Sequence, residues 1–534
     1  IGKNIEKNKE FRRPHIVEKT VRRSFFMSLK KEILKGTLIL TSAGIVTRIL
    51  GLYNKVFLAN VISASELGLY QLIFPVLSVC SAICCYGIES ALSKVISGQS
   101  AGQGVKNTGR TISIGAGLAL ALSLLLFSIV FILAEPIAVF LIREPACAPY
   151  LKIMAFVIPF STMHSCISGY FLGMRRAGVP AASQLIEQII RVGTIYGLSV
   201  TFYAAGGADA SMAVYGMLAG EVISCLFTVT AYKISQVRRH KKYGHLVSTP
   251  DSYKTLASVL LSYAVPLTAN RLALTLLQSF EAVLIPMMLK MYYGDSETAL
   301  SIYAVATAMA FPFIMFPTTI TNSLASMLMP AVSKASEEND YGMIRRTISK
   351  SIHYCLLIGI LSMTVFFVYG RILGIVIFKN EMAGEFLTIF AFLCPFIYIA
   401  SSLAGTLNGL GKVKLTMMNS MITLGVRIAF LVFVVPKTGI NGYLWGQMAG
   451  YLILVGLDGR SVVKIAGLTL NPWRTIIFPA GFAAAGAMFS LAVYRCLLYM
   501  AVVPTLLLVV IACVVIAAIY GGSLLVTGII DGHV

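Results

Sequence analysis

Charged side chains are scarce in this sequence. They make up 12% of its 534 residues, about half the share of a typical soluble domain. Acids are scarcer than bases, 22 against 43. Long polar connections between apolar segments are also missing, the longest being about residues 234–254, which leaves no room for a soluble catalytic domain of ~100 residues. No GxxxxGK[ST] loop occurs, so an ATPase of that kind is excluded. Cys84-Cys85 has no second cluster at zinc spacing, so no metal and no other cofactor is expected. Most of the ten cysteines lie inside apolar runs, where they act as small hydrophobes.

What is present is apolar. Hydrophobic residues reach 57%, mean hydropathy is +0.83, and apolar stretches recur from about residue 36 to 526. The chain therefore reads as an all-α, polytopic membrane protein. At ~20 residues per span, fourteen helices fit: 32–58, 66–93, 111–134, 150–173, 181–203, 211–233, 255–290, 298–330, 348–378, 383–408, 413–435, 440–464, 473–498 and 501–526. The net charge of +21 does not indicate a nucleic-acid partner, because the bases sit in short loops. With a cytoplasmic N-terminus, 30 of the 43 Lys and Arg fall on cytoplasmic segments, which places both termini in the cytoplasm. Residues 1–26 are polar, basic and precede Met27. Translation is expected to start at Met27, the alternative being a genuine basic tail.

The chain repeats itself. FVIPFSTMHSCISGYFLGMRRAGVP from Phe156 aligns with FLCPFIYIASSLAGTLNGLGKVKLT from Phe392 at an offset of 236, pairing Pro159 with Pro395, Gly169 with Gly405 and Gly173 with Gly409. The same offset carries Arg191 onto Arg427, and Gly216 and Gly220 match Gly446 and Gly450 further on. Two parallel six-helix repeats plus two C-terminal helices are expected, with lobes at 27–240 and 241–466 and an addition at 467–534. Substrate sites of parallel repeats tend to lie between the copies near the midplane.

An ionisable group inside a span costs roughly 2.5–3.5 kcal/mol on insertion scales and requires a reason. The first span carries Thr41, Gly44, Arg48, Gly51 and Lys55 on one stripe. The seventh carries Arg271, Gln278 and Glu281, next to Asn270. The second shows Gln71 and Glu89, and the eighth Thr319 and Asn322. These faces are expected to line one cavity, with Arg48, Arg271, Asn270, Gln278, Glu281, Glu89 and Asn322 as substrate-binding candidates. Glu187 and Arg191 form an i, i+4 pair that neutralises itself. Together with Glu221 and Arg427 they are candidates for structure or coupling, and His164 reads as a satisfied core histidine. Arginine offers a planar fork suited to phosphate. Two arginines with few central acids favour an anionic substrate.

The run TSAGIVTRILGLYNKVFLANVISASELGLYQLIFPVLSV, with FPTTITNSLASMLMPAVSKA and GTLNGLGK, resembles the multidrug/oligosaccharidyl-lipid/polysaccharide exporter superfamily. Within it the chain is most similar to the stage V sporulation protein B group, related to MurJ-type lipid II flippases. The resemblance implies translocation of an undecaprenyl-diphosphate-linked saccharide, here lipid II for spore cortex peptidoglycan, across the cytoplasmic membrane. It also implies membrane lipids and cell-wall synthesis or sporulation machinery as partners. In MurJ-type proteins an SRxLG segment carries a cavity arginine, and Thr47-Arg48-Ile49-Leu50-Gly51 matches it. The arginines such proteins carry in helix 2 and after Tyr-Ala in helix 8 are absent, since Tyr303-Ala304 continues as Val305-Ala306-Thr307. Arg271 is our inferred substitute. No enzymatic activity is expected. The rival reading is a cation-coupled drug antiporter of the same superfamily, using Glu89, Glu221 or Glu281.

Overall fold

The computed structural model describes residues 39, 41–99, 107–204, 207, 209–243, 251–338, 340–467, 471–499 and 504–529. The stretch 1–26 and Met27 lie outside them. Among the described residues there is no strand, and each of the fourteen expected positions is helical. We number these helices α1 (41–61), α2 (Ala64–Gln99), α3 (Asn107–Ile132), α4 (Pro145–Ala155 and Val157–Gly173), α5 (Gly178–Ala204), α6 (Ser211–Tyr243) and α7 (Tyr253–Tyr293). They continue as α8 (Ser296–Ile314, then Thr318–Glu337), α9 (Tyr341–Phe378), α10 (Glu381–Gly409), α11 (Val413–Phe433), α12 (Ile440–Ala466), α13 (Trp473–Tyr499) and α14 (Thr505–Val526). Among the described residues, ten are individually long and apolar enough to cross a membrane, or eleven if the two parts of α4, bent by 44°, form one span.

Short turns between helices are set by local hydrogen bonding. Asp295 and Asn380 cap α8 and α10 by accepting from the N–H three residues on, at 2.7 and 2.9 Å, which satisfies a backbone donor that the first turn cannot pair. Breaks follow proline, which lacks an N–H and cannot continue the ladder. The two segments of α4 meet just before Pro159, and α10 interrupts just before Pro395. The helical run of α8 stops at Met315-Phe316-Pro317.

The repeat is visible in the backbone. After α4, the N–H groups of Met174, Arg175 and Arg176 donate to Tyr170, Leu172 and Phe171; after α10, those of Leu410, Gly411 and Lys412 donate to Thr406, Asn408 and Leu407. The pattern is the same at an offset of 236 residues. Arg175 and Gly411 occupy the same left-handed position, with φ of 58° and 73°, so the first copy holds a side chain where glycine is favoured. The matched glycines admit close helix crossings. A Cβ at Gly169 would lie 2.6 Å from the Glu89 carbonyl oxygen, and one at Gly405 would lie 2.9 Å from that of Ala325. The α2–α4 crossing is thereby repeated as α8–α10.

The C-terminal pair packs on itself and on α9. Tyr369 and Ser490 share a hydroxyl contact of 2.8 Å, Ser490 donates to the Ala512 carbonyl, and Tyr520 donates to that of Leu357. One element departs from the expected division at 240/241. The first half of α7 packs against α2 and α3: a Cβ at Gly87 would meet Ala264 and Thr268, and Asn107 donates to Asp251 at the entry of the helix. Its second half packs on α11, where Glu281 meets Arg427. A 41-residue helix of ~60 Å is long enough to reach both halves of the bundle.

Candidate cavity between the repeats

Between α1, α2, α5 and α8 lies a cavity of about 730 Å³. From α1 it receives Thr47, Arg48, Gly51 and Lys55, from α2 Tyr70 and Gln71, from α5 Gln188 and Arg191, and from α8 Thr307, Phe316 and Asn322. The α1 residues recur at spacings of three and four, so helical periodicity puts both Arg48 and Lys55 on the cavity side. Arg48 Nη1 donates to Thr319 Oγ1 at 2.9 Å, bridging α1 and α8. Thr319 itself donates to the Phe316 carbonyl at 2.8 Å, so its oxygen is free to accept.

Of the expected cavity residues, Arg48 and Asn322 line this cavity. Asn270, Arg271, Gln278, Glu281 and Glu89 are not part of this wall. Arg271 is exposed and lies 5.2 Å over the Tyr86 ring, a cation–π contact. Asn270 and Gln278 are exposed on α7, and Glu89 is half-buried at the crossing with α4. Glu281 is buried at 5% exposure, paired with Arg427 at 2.6 Å and accepting from Gln447 at 3.3 Å. The expected pairing of Arg48 with Arg271 is therefore replaced. The second cavity arginine is Arg191, from α5.

Arg191 and its repeat partner Arg427 show how one motif serves two ends. Each packs against a glycine of the following helix: a Cβ at Gly220 would stand 3.4 Å from Arg191 Cβ, and one at Gly450 2.7 Å from Arg427 Cδ. Each pairs with a carboxylate, Arg191 with Glu187 on its own helix and Arg427 with Glu281 across on α7. Arg191 lines the cavity, and its Nε is buried without a hydrogen-bond partner. With Arg48 and Lys55 it makes three cations, and none of the described lining residues is acidic. In a low-dielectric enclosure such a set attracts anions and repels cations.

Behind Arg191 lies a polar cluster that joins three helices. His164 of α4 contacts Glu221 of α6 at 3.4 Å and Ser183 of α5 at 2.9 Å. Donor atoms of His164, Glu187 and Glu221 fall within 4.8 Å of one another, a spacing that a metal could bridge. Glu187 already carries the guanidinium of Arg191, however, and a metal ion would have to expel that fixed charge. In the second repeat Asp458 is buried, accepting from Asn419 at 2.7 Å. Sequence reasoning missed this acid because it lies near the polar end of its span.

Two apolar grooves flank the second repeat. One, about 800 Å³, runs between α9, α10, α12 and α13 past Phe367, Phe396, Met448 and Ala484. The other, about 500 Å³, is formed by α8, α9 and α14 around Ile320, Leu357 and Tyr520. Ile320 and Ser323 of this second groove alternate along α8 with Thr319 and Asn322 at the cavity. The groove therefore lies directly behind the cavity wall.

Residues 33–335 match the family described as "Polysaccharide biosynthesis protein", and residues 271–433 match MatE. Stage V sporulation protein B of Bacillus subtilis (strain 168) is 27% identical over 83% of this chain and 86% of its own length. Lipid II flippase MurJ of the same organism is 20% identical over 79% and 81%. Among solved structures, "Lipid II flippase MurJ, inward closed conformation" superposes with a TM-score of 0.61 at 14% identity, covering 91% of this chain and all of that one. An inward-facing multidrug resistance MATE family transporter gives 0.60 at 12% identity, covering 81% of this chain and all of that one.

Proposed function

Since the chain belongs to the polysaccharide biosynthesis protein family and is a multi-pass membrane protein with an anion-attracting cavity, we propose that it translocates an undecaprenyl-diphosphate-linked saccharide across the cytoplasmic membrane. Lipid II for spore cortex peptidoglycan is the substrate favoured by the sporulation and MurJ relatives. The observation that carries the reading is the set of three cations, Arg48, Lys55 and Arg191, facing one cavity with no acid among its described lining residues. Two guanidinium forks from different helices suit two adjacent phosphates. The α8–α9–α14 groove, one helix away, would hold the polyprenyl tail.

The mechanism we infer is alternating access between the two six-helix units, 27–240 and 241–466, with 467–534 supporting the tail groove. Lysine and arginine placement puts both termini in the cytoplasm. The contacts of Asn60 with the Ile377 carbonyl and of Ser296 with Glu144, 2.9 and 3.0 Å, then close the outer face. Moving each negative charge outward gains about 2.3 kcal/mol per 100 mV of inside-negative potential, enough to drive export without nucleotide hydrolysis. Cell-wall synthesis or sporulation enzymes would supply and consume the lipid.

The test is transfer of lipid II between leaflets of liposomes, read by an impermeant enzyme that consumes exposed headgroups. Arg48→Ala and Arg191→Ala should each abolish transfer, and Arg271→Ala should leave most of it. Transfer that survives both cavity changes refutes the clamp, and absence of transfer with folded protein refutes the substrate. The rival, a cation-coupled drug antiporter, draws support from the His164–Glu187–Glu221 cluster and predicts cation-dependent drug efflux that Glu221→Gln abolishes.

A further inference from the structure

We propose that Asn54, Gln71 and Gln188 form an amide collar in the cavity between the repeats, and that this collar reads the hydroxyl groups of the saccharide. The proposal rests on the lipid-linked-saccharide reading above. It adds the residues that tell a saccharide from a bare diphosphate.

Asn54 of α1 is 6% exposed, Gln188 of α5 is half-buried, and both line the cavity. Asn54 Oδ1 and Gln188 Oε1 are buried without a hydrogen-bond partner. An acceptor left in that state is costly and requires a reason. Holding helices together is not the reason. Asn60, Asn419 and Gln447 do that, each donating to a carbonyl or carboxylate of another helix at 2.9, 2.7 and 3.3 Å. The amides of Asn54 and Gln188 make no such bond among the described residues. A lining side chain that no hydrogen bond holds can turn its oxygen to a ligand. Gln71 brings a third amide to the same cavity from α2.

The collar brackets the cations. Along α1, Asn54 stands six residues beyond Arg48, ~9 Å on a helix. Along α5, Gln188 stands three residues before Arg191, ~4.5 Å on a helix. A diphosphate held by the two arginines leaves its saccharide to extend along this wall. Phosphate oxygens only accept, and Arg48, Lys55 and Arg191 already offer them donors. An amide carries a donor and an acceptor side by side, which suits hydroxyl groups that also do both. Tyr70, Phe74, Phe311 and Phe316 complete the lining. A few placed polar groups on an aromatic wall are how small-molecule sites gain specificity. The ligand class is an anion joined to a neutral polyhydroxyl group.

The experiment compares binding of two lipids to the full chain in nanodiscs. One is lipid II; the other is undecaprenyl diphosphate, which keeps the tail and both phosphates and lacks the sugars. Asn54→Leu, Gln71→Met and Gln188→Met should each weaken lipid II by about 2- to 12-fold, the worth of one neutral hydrogen bond, and leave undecaprenyl diphosphate binding unchanged. Arg48→Ala should weaken both. In thermal melts without ligand, Asn54→Leu and Gln188→Met should unfold no lower than the unmodified protein, because each replaces an unpaired buried acceptor by an apolar group. Equal loss of both lipids in the amide variants, loss of neither (water alone at the collar), or a lowered melting temperature overturns the collar and leaves the substrate reading standing. An unmodified protein that binds neither lipid refutes the substrate reading, and the collar with it.

Discussion

The two repeat-equivalent arginines should fail in opposite ways. Arg427 and Glu281 keep 20% and 6% of side-chain exposure, and Gln447 is the other group on that carboxylate. Arg427→Met leaves Glu281 charged and enclosed by α7, α11 and α12, where removing one partner of a buried pair costs about 3–5 kcal/mol. Replacing both, as Arg427→Met with Glu281→Leu, should recover most of that loss, because two apolar side chains need no solvation. Arg191→Met leaves Glu187 at 15% exposure beside the cavity and the His164 cluster, so its cost should be about 1.5–3 kcal/mol, the range for a hydrogen bond to a charged group. Equilibrium unfolding in mixed micelles gives the stabilities, and the leaflet-transfer assay gives the activity. We expect Arg427→Met to be the less stable of the two with transfer retained per folded molecule, and Arg191→Met to lose less stability and be inactive. The reasoning is refuted if Arg427→Met costs under ~1 kcal/mol, or if Arg191→Met transfers lipid normally.

Two further outcomes test the packing. Gly169→Ala sets a methyl group 2.6 Å from the Glu89 carbonyl and should destabilise by about 1–3 kcal/mol as the α2–α4 crossing opens, whereas Gly193→Ala, with nothing within 4 Å, should gain up to ~1 kcal/mol of helix propensity. Thermal melts of the two variants in one detergent make the comparison. Tyr369→Phe removes the hydroxyl that reaches Ser490, and the same melts should show a loss of about 0.5–1.5 kcal/mol, small because Ser490 keeps its bond to the Ala512 carbonyl.

Much of the fold was legible because membranes constrain sequence so strongly. A span needs ~20 apolar residues with every backbone group paired inside it, so hydropathy marks the helices. Glycines at crossings and prolines at breaks repeat at a constant offset because each copy needs the same close contacts, as Gly169 and Gly405 show. The stripe of Arg48, Gly51 and Lys55 was legible too, since periodicity puts those residues on one face.

Periodicity says which residues share a face, and the neighbouring helix decides what that face meets. On α7, Arg271, Gln278 and Glu281 read as one stripe, yet Arg271 is exposed beside Tyr86 while Glu281 is buried on Arg427, because a 41-residue helix touches different partners along its length. On α5, Arg191 looked self-sufficient beside Glu187, and only the approach of α1, α2 and α8 turned it into a cavity residue. His164 read as an ordinary core histidine, and only the fold brought Ser183 and Glu221, 19 and 57 residues further along the chain, onto its ring. The one-dimensional pattern determined where the helices are and which sides are polar. Long-range packing alone decided which charges meet each other and which are left to meet a ligand.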